Sequence, residues 1–152
     1  MSNPHTPNMR AHEELSPLAS RKVDPETLDW QPTSFAGCYT KTLLTDPATG
    51  LLTALMKMEP GAVLPDHEHT GIEQTFVLDG HLVDKEGPDK DLEIGPGQYV
   101  WRPAGSRHTA WSPNGCTILA IFQIPNKFFH QSGQITDAAG HDWHEKWGKG
   151  KA

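Results

Sequence analysis

The stretch that most constrains this chain covers residues 61–80 and reads GAVLPDHEHTGIEQTFVLDG. His67 and His69 stand two residues apart, and side chains two apart in an extended strand project from the same face. Their imidazoles therefore aim at one point, while Glu68 between them faces away. Glu73 follows a Thr-Gly bend that can turn its carboxylate back toward the two rings. The stretch predicts three candidate metal ligands converging at the end of a strand.

A second stretch, residues 97–112, reads GQYVWRPAGSRHTAWS and places His108 just after a Pro-Ala-Gly turn. Three imidazoles and one carboxylate suit Fe(II), Mn(II), Ni(II), Co(II) or Zn(II), and they disfavour Ca(II), which prefers oxygen ligands. Four protein donors leave two positions of an octahedron for a chelating ligand. The same four residues also suit a closed tetrahedral zinc site that only braces the fold.

Together the two stretches resemble the two signature motifs of the cupin superfamily. The matching positions are Gly61, His67, His69, Glu73, Gly80, Gly97, Pro103, Gly105 and His108. Ser112 stands where the second motif usually has Asn, a position that is not a ligand. The resemblance implies an all-β, single-domain double-stranded β-helix, or jelly-roll barrel. It also implies one divalent metal ion, with Fe(II) favoured, held by His67, His69, Glu73 and His108.

Length and composition agree with one all-β domain. A chain of 152 residues is long enough for a single core, and 14 Gly with 13 Pro indicate many turns between short strands. We expect a flexible arm at residues 1–22, the barrel at 23–136, and a short helix with a tail at 137–152. The two cysteines, Cys38 and Cys116, are in no metal-binding spacing and are predicted to be reduced thiols.

Charge and hydropathy set expectations for partners and location. A net charge of −6 with no basic run argues against nucleic-acid binding, which needs clustered Lys and Arg. The apolar runs are too short to span a bilayer, and the N-terminus lacks the hydrophobic region of a secretion signal. We therefore expect a cytoplasmic protein. Phe128 and Phe129, as exposed apolar residues, together with the N-terminal arm predict a homodimer.

Several strands can be read from alternation and turn signals. Residues 37–45 and 51–58 predict a hairpin around DPATG, and Asp79-Gly80 predicts a second hairpin between 72–80 and 81–87. Four more short strands are expected in the segments DLEIGPG, QYVWRPAG, RHTAWS and CTILAIFQI, which suits a jelly roll.

Some polar and aromatic residues near the motifs have two interpretations each. Tyr99 and Trp101 share a strand face and are expected in the core or in a pocket wall. Arg102 and Arg107 could hold a substrate carboxylate, but surface salt bridges are the favoured expectation. His81 is expected to face solvent.

The phrases GIEQTFVLDG, WRPAGSRH, SPNGC and PNKFF resemble one branch of the cupins. That branch includes the cupin domain of ChrR-type anti-sigma factors and small oxygenases such as acetylacetone dioxygenase and 2,4′-dihydroxyacetophenone dioxygenase. The resemblance implies a nonhaem Fe(II)-type dioxygenase that cleaves a carbon-carbon bond of a small diketone or hydroxyketone. The alternative is a non-catalytic sensor or regulatory module. We expect the enzyme, because the sequence contains no CxxC and has too few residues ahead of the expected barrel for the helical zinc-binding domain of such an anti-sigma factor.

Overall fold

The computed structural model describes residues 3–124, 126–129 and 135–137, and the regular secondary structure within them is almost entirely β-strand. The all-β prediction is therefore confirmed. The strands are β1 (Gln31–Pro32), β2 (Cys38–Asp46), β3 (Leu51–Met58), β4 (Ala62–His69), β5 (Glu73–Gly80), β6 (Leu82–Asp84), β7 (Glu93–Ile94), β8 (Tyr99–Arg102), β9 (Arg107–Ser112), β10 (Cys116–Gln123), β11 (Asn126–Phe129) and β12 (Ile135–Asp137).

Two short 3₁₀ helices, Arg10–His12 and Pro25–Thr27, lie ahead of the first strand. No helix in the described part of the chain has the length and apolar character needed to cross a membrane. The predicted C-terminal helix falls outside the described residues, apart from Asp137, which ends β12. The three proposed domain boundaries and the cytoplasmic location stay predictions.

The strands form two antiparallel sheets of six strands each, and together they give the predicted jelly roll. The first sheet has the order β1-β2-β3-β10-β5-β8, and the second has the order β12-β11-β4-β9-β6-β7. From β3 to β10 the chain alternates between the sheets, as a double-stranded β-helix requires, except that β6 and β7 pair with each other in the second sheet. The candidate ligands consequently come from both sheets, since β4 and β9 belong to the second and β5 to the first.

Period-two alternation builds the core between the sheets. In β3 every second residue from Leu52 to Met58 is buried, and β10 repeats the pattern from Cys116 to Phe122. Cys38 and Cys116 are free, buried thiols, as expected. Burial, followed by the nearby Cys116 and Glu59, raises the pKa of Cys38 to about 12. These thiols are core side chains.

The first predicted hairpin is confirmed by the antiparallel pairing of β2 with β3. In its turn the Asp46 carboxylate accepts hydrogen bonds from the Ala48 amide at 3.1 Å and the Thr49 hydroxyl at 2.7 Å.

The second predicted hairpin is wrong, because β5 and β6 lie in different sheets. At the crossing Gly80 has φ +73°, and a Cβ there would stand 2.0 Å from the Gly115 carbonyl oxygen. Glycine is required at this position because the backbone at Gly115 lies too close to allow a side chain, and not because the chain forms a hairpin turn there.

Strand β8 shows which way its aromatic residues point. Tyr99 and Trp101 are exposed, Trp101 by 58%, so the expectation of a core or pocket-wall position is wrong. Val100 is partly buried and packs against the core, and Arg102 is buried. On the neighbouring β5, Phe76 and Leu78 are exposed on the same outer face. The first sheet therefore presents an uncharged apolar strip at its β8 edge.

Candidate metal centre

Strand register brings two of the candidate ligands directly opposite each other. His67 on β4 faces His108 on β9, and their ring centroids are 4.4 Å apart. An irregularity in β4 between Leu64 and His67 shifts the register just before this pair. On the other side of β4, Phe128 of β11 stands opposite His67 with its ring stacked at 5.1 Å. One row across three strands therefore holds two imidazoles and one phenyl ring.

The other two candidate ligands lie at the junction between the sheets. His69 is the last residue of β4, and Glu73 is the first residue of β5. His69 Nε2 lies 2.6 Å from Glu73 Oε2 and 3.1 Å from His108 Nε2. With His67 included, one ligand atom from each side chain falls within 4.8 Å of all the others, and all four residues are buried. The structure thus brings together His67, His69, Glu73 and His108.

Hydrogen bonds on the far side of two imidazoles decide which nitrogen faces the group. His67 Nδ1 donates to the Pro65 carbonyl at 2.7 Å, and His108 Nδ1 donates to Asp84 Oδ1 at 3.1 Å. A neutral imidazole that donates from Nδ1 carries its lone pair on Nε2. The Nε2 atoms of both residues therefore face the centre of the group as acceptors. His69 Nδ1 is buried without a hydrogen-bond partner among the described residues.

Burial and neighbouring side chains shift the pKa values of His67 and Glu73. Burial, with the nearby His108 and His69, holds the pKa of His67 well below its usual value. Burial alone would raise the pKa of Glu73, but the contacts with His69, together with the nearby His108 and His67, outweigh burial and hold the pKa far below normal. Neutral imidazoles and an ionised carboxylate are the states that bind metal ions.

The donor set fits a divalent transition-metal ion. Two donors that bind one ion at about 2.1 Å and subtend a right angle stand about 3.0 Å apart, close to the separation of His69 and His108 Nε2 atoms. A cation at the centre of the group would be stabilised by the inward-facing lone pairs and by the Glu73 carboxylate together. This buried group could therefore hold one divalent metal ion.

The group faces a small cavity in the barrel interior. The cavity has a volume of about 40 Å³, room for roughly three water molecules at about 10–15 Å³ each. Apart from the four donors and Thr75, its walls are apolar. They consist of Met56, Leu64, Leu82, Ala110, Ile118, Ala120, Phe122 and Phe128.

A buried ion pair stands behind the candidate ligands. Arg102 of β8 donates to Asp84 of β6 through two nitrogens, at 2.7 and 2.9 Å. Arg102 Nε also lies 3.4 Å from Glu73 Oε1, an ion-pair contact without hydrogen-bond geometry. Burial would raise the pKa of Asp84, but hydrogen bonds from His108 and Arg102 lower it below its usual value.

Sequence reasoning missed three residues at this site. Arg102 was expected on the surface, which is wrong, since it is buried between Asp84 and Glu73. Asp84 was not singled out, although an acid in phase with buried Leu82 on β6 is a signal for an internal partner. Phe128 was expected to be exposed, yet it is buried against His67.

The remaining candidates lie on the surface. Arg107 is half-exposed and forms the expected surface salt bridge, with Asp66 at 2.6 Å. His81 is also half-exposed, 3.8 Å from Glu93, as expected for a residue that faces solvent.

Known proteins share this architecture. A structure assigned as an acetylacetone dioxygenase from Methylibium petroleiphilum PM1 has a TM-score of 0.74 at 22% identity, covering 86% of this chain and 96% of that chain. Acetylacetone dioxygenase from Acinetobacter johnsonii has a TM-score of 0.73 at 18% identity, covering 91% of this chain and 97% of that chain. At these identities the likeness shows the fold.

A third solved structure is that of Rhodobacter sphaeroides SigE in complex with the anti-sigma ChrR. It has a TM-score of 0.54 at 25% identity, covering 64% of this chain and 51% of that chain. Among curated proteins, no sequence matches this chain. The family model of the ChrR cupin-like domain matches residues 19–125, well over half of the chain. The chain therefore belongs to the ChrR cupin-like family of the cupin superfamily.

Proposed function

We propose that this protein is a metal-dependent dioxygenase of the nonhaem Fe(II) type that cleaves a carbon-carbon bond of a small diketone or hydroxyketone. In this proposal His67, His69, Glu73 and His108 are the ligands of one divalent ion. The observation that carries the proposal is the position of these four donors, which face a cavity whose other walls are almost entirely apolar.

The metal ion, when bound, supplies a Lewis acid and an electron relay for dioxygen chemistry. Fe(II) is our preferred ion, and the same nitrogen and oxygen donors also suit Zn(II), Ni(II), Mn(II) and Co(II). The four side chains carry a single negative charge, on Glu73, when the imidazoles are neutral. A divalent ion then retains about one positive charge, which favours a chelating, anionic oxygen ligand such as an enolate.

The walls of the cavity contribute in two ways. Aliphatic and aromatic side chains surround the donors with few polar groups, which strengthens electrostatic interactions inside the barrel. The cavity is small, so it favours a compact ligand with few atoms beyond its chelating oxygens. The likeness to two structures described as acetylacetone dioxygenases supports a small diketone as the ligand.

Anaerobic loading with Fe(II), followed by a panel of β-diketones and aryl hydroxyketones, tests the proposal. We expect oxygen uptake with at least one compound, and loss of uptake in His108→Ala. His81→Ala, which removes an exposed imidazole outside the group, serves as the control and should retain uptake. Absence of uptake across the panel at about one iron per chain would refute the dioxygenase function.

The second candidate function is a non-catalytic metal-binding sensor or regulatory module. The match to the ChrR cupin-like family and the likeness to the structure containing an anti-sigma factor favour it. In a sensor the ion holds a small ligand without turnover. A panel compound that binds the metal-loaded protein in calorimetry, stays chemically unchanged and causes no oxygen uptake would support this alternative.

We also propose that the protein forms a homodimer through the uncharged strip of Phe76, Leu78, Tyr99 and Trp101. Phe128 does not support association, since it is buried. The strip is exposed and rich in aromatic side chains, as interface centres are. In a chain of net charge −6 an uncharged face lets two copies meet without like-charge repulsion. Light scattering should give the dimer mass for the native chain and the monomer mass for Trp101→Glu, and a monomeric native chain would refute the proposal.

A further inference from the structure

A chain of contacts connects two candidate ligands that lie in different sheets. It runs from Glu73 on β5 to Arg102 on β8, then to Asp84 on β6 and His108 on β9. Strands β5 and β8 belong to the first sheet, whereas β6 and β9 belong to the second. The Arg102–Asp84 ion pair therefore joins the two halves of the site a second time, in addition to the direct contact between His69 and Glu73.

The ion pair lies inside the protein, where it is poorly suited to act as a simple fold stabiliser. Arg102 is 3% exposed and Asp84 is 0% exposed. Removing two charges from water costs free energy that their attraction seldom exceeds, and apolar residues of similar volume often stabilise a core equally well. The two atoms of the pair that contact the candidate ligands, Asp84 Oδ1 and Arg102 Nε, are thus more informative than the pair itself.

Each member of the pair constrains one ligand atom. Asp84 Oδ1 accepts from His108 Nδ1 and so places the lone pair of His108 on Nε2. Arg102 Nε lies on the Oε1 side of Glu73, and the Thr75 hydroxyl donates to the same oxygen at 3.0 Å. Oε2 of Glu73 remains directed toward His69 at 2.6 Å.

We propose that Asp84 and Arg102 are positioning residues of the metal centre, which hold His108 by Nδ1 and Glu73 by Oε1 so that Nε2 and Oε2 face the ion. The inference rests on the ligand set named in the proposed function and is independent of the dioxygenase reaction. Hydrogen-bond partners such as Asp84 orient metal ligands and raise their affinity for the ion, and the ion-pair contact of Arg102 restrains the Oε1 side of Glu73. Asp84 and Arg102 would also couple ligand geometry to the packing of the two sheets.

The chain offers a matched control for each partner. Arg107 and Asp66 form a second Arg–Asp pair with two hydrogen bonds, at 2.9 and 2.6 Å, but it is solvent-exposed. Within the described part of the chain, the hydrogen bonds, ion pair and ring contact of this pair involve none of the four candidate ligands. Asp84→Asn and Asp66→Asn therefore make the same chemical change in two settings, and both keep the size of the side chain.

The first measurement uses the metal-free protein. Long-range ¹⁵N correlation spectra report which imidazole nitrogen carries the proton. We expect His108 to be protonated on Nδ1 in the native protein and in Asp66→Asn, and to populate a mixture of tautomers in Asp84→Asn. The carbonyl oxygen of Asn can still accept from Nδ1, so Asp84→Leu, which has no acceptor, is measured beside it. An unchanged Nδ1-protonated tautomer in both Asp84→Asn and Asp84→Leu would overturn the role of Asp84.

The second measurement uses Zn(II) affinity by chelator competition and the absorption spectrum of the Co(II)-loaded protein. Asp84→Asn should bind Zn(II) about 10–100-fold more weakly, and its Co(II) spectrum should shift. Asp66→Asn should match the native protein within about twofold. Equal Zn(II) affinity and an identical Co(II) spectrum in both variants would overturn the proposal.

Arg102→Lys keeps the charge and serves if Asp84→Asn fails to fold. Lysine cannot contact Asp84 and Glu73 with a planar fork, so a folded Arg102→Lys should also lose Zn(II) affinity, whereas Arg107→Lys should not. Native affinity in Arg102→Lys would overturn the role of Arg102.

If the native protein binds Zn(II) and shows these differences but consumes no oxygen with Fe(II), the dioxygenase function fails and the positioning role stands.

Discussion

Two Arg–Asp pairs flank the second motif, and the contrast between them shows what burial does to one kind of interaction. Arg102–Asp84 and Arg107–Asp66 are both held by two hydrogen bonds. The first pair is buried between the sheets and contacts two candidate ligands. The second is exposed, and Arg107 packs its guanidinium 3.6 Å from the centre of the Phe129 ring. The buried pair contacts two candidate metal ligands, whereas the arginine of the exposed pair packs on Phe129 of β11 at the surface.

The largest expected difference is in stability. Arg102→Met leaves Asp84 as an unpaired charge in the interior, which should lower the free energy of unfolding by about 3–5 kcal/mol. Arg107→Met removes a solvent-exposed pair and should cost about 1 kcal/mol or less. Urea unfolding of the metal-free proteins measures both. Equal losses would show that burial does not separate the two pairs.

The residues of β11 extend the comparison to apolar contacts. Phe128 is buried against His67 and Phe35, so Phe128→Ala should cost roughly 3 kcal/mol through a cavity in the core. Phe129 is partly exposed beside Arg107, and Phe129→Ala should cost about 0.5–1 kcal/mol. Thermal unfolding of the two variants is the check. A smaller loss for Phe128→Ala than for Phe129→Ala would contradict the packing described for this strand.

Acid should weaken the buried pair in a predictable direction. The pKa of Asp84 is lower in the folded protein than its usual value, so its stabilising contribution is complete above the unfolded-state pKa of about 3.9. The contribution is lost as the pH falls through the folded-state pKa. Stability of the metal-free Asp84→Asn variant should therefore fall less steeply below about pH 4 than that of the native protein.

Unfolding curves collected from pH 6 to about pH 3 make this measurement. Arg107→Gln retains Asp84 and is expected to keep the native slope. A native acid slope in Asp84→Asn would assign the acid sensitivity to other groups, of which Glu73, with its lowered pKa, is the first candidate.

Salt should have the smallest effect and should act on the exposed pair alone. The screening length falls to about 3 Å at 1 M salt, which weakens interactions between solvent-exposed charges far more than those between buried ones. The stability difference between native protein and Arg107→Gln, at most about 1 kcal/mol in dilute buffer, should shrink at 1 M NaCl. The corresponding difference for Arg102→Met should persist.

The sequence predicts the part of the site that depends on short-range geometry. His67 and His69 share a strand face, and Glu73 follows within one bend, so the convergence of these three follows from period and turn chemistry alone. His108 was placed by resemblance to a known motif, since nothing local brings β9 beside β4. The jelly roll was predicted from turn spacing and the same resemblance.

The residues that were missed depend on pairings distant in sequence. Arg102 and Asp84 lie 18 residues apart and on different sheets, so no local pattern indicates that they meet. Phe128 is buried because β11 joins the edge of β4, a contact between distant segments. The hairpin at Asp79-Gly80 failed because a positive-φ glycine also suits a crossing between sheets, which sequence does not distinguish from a tight turn.

Metal content by elemental analysis tests the central claim most directly. We predict about one divalent transition-metal ion per native chain, less than a tenth of that in His67→Ala and His108→Ala, and a native complement in His81→Ala. Full metal content in the His67 and His108 variants, in folded protein, would contradict the assignment of these side chains as the ligands of a single ion.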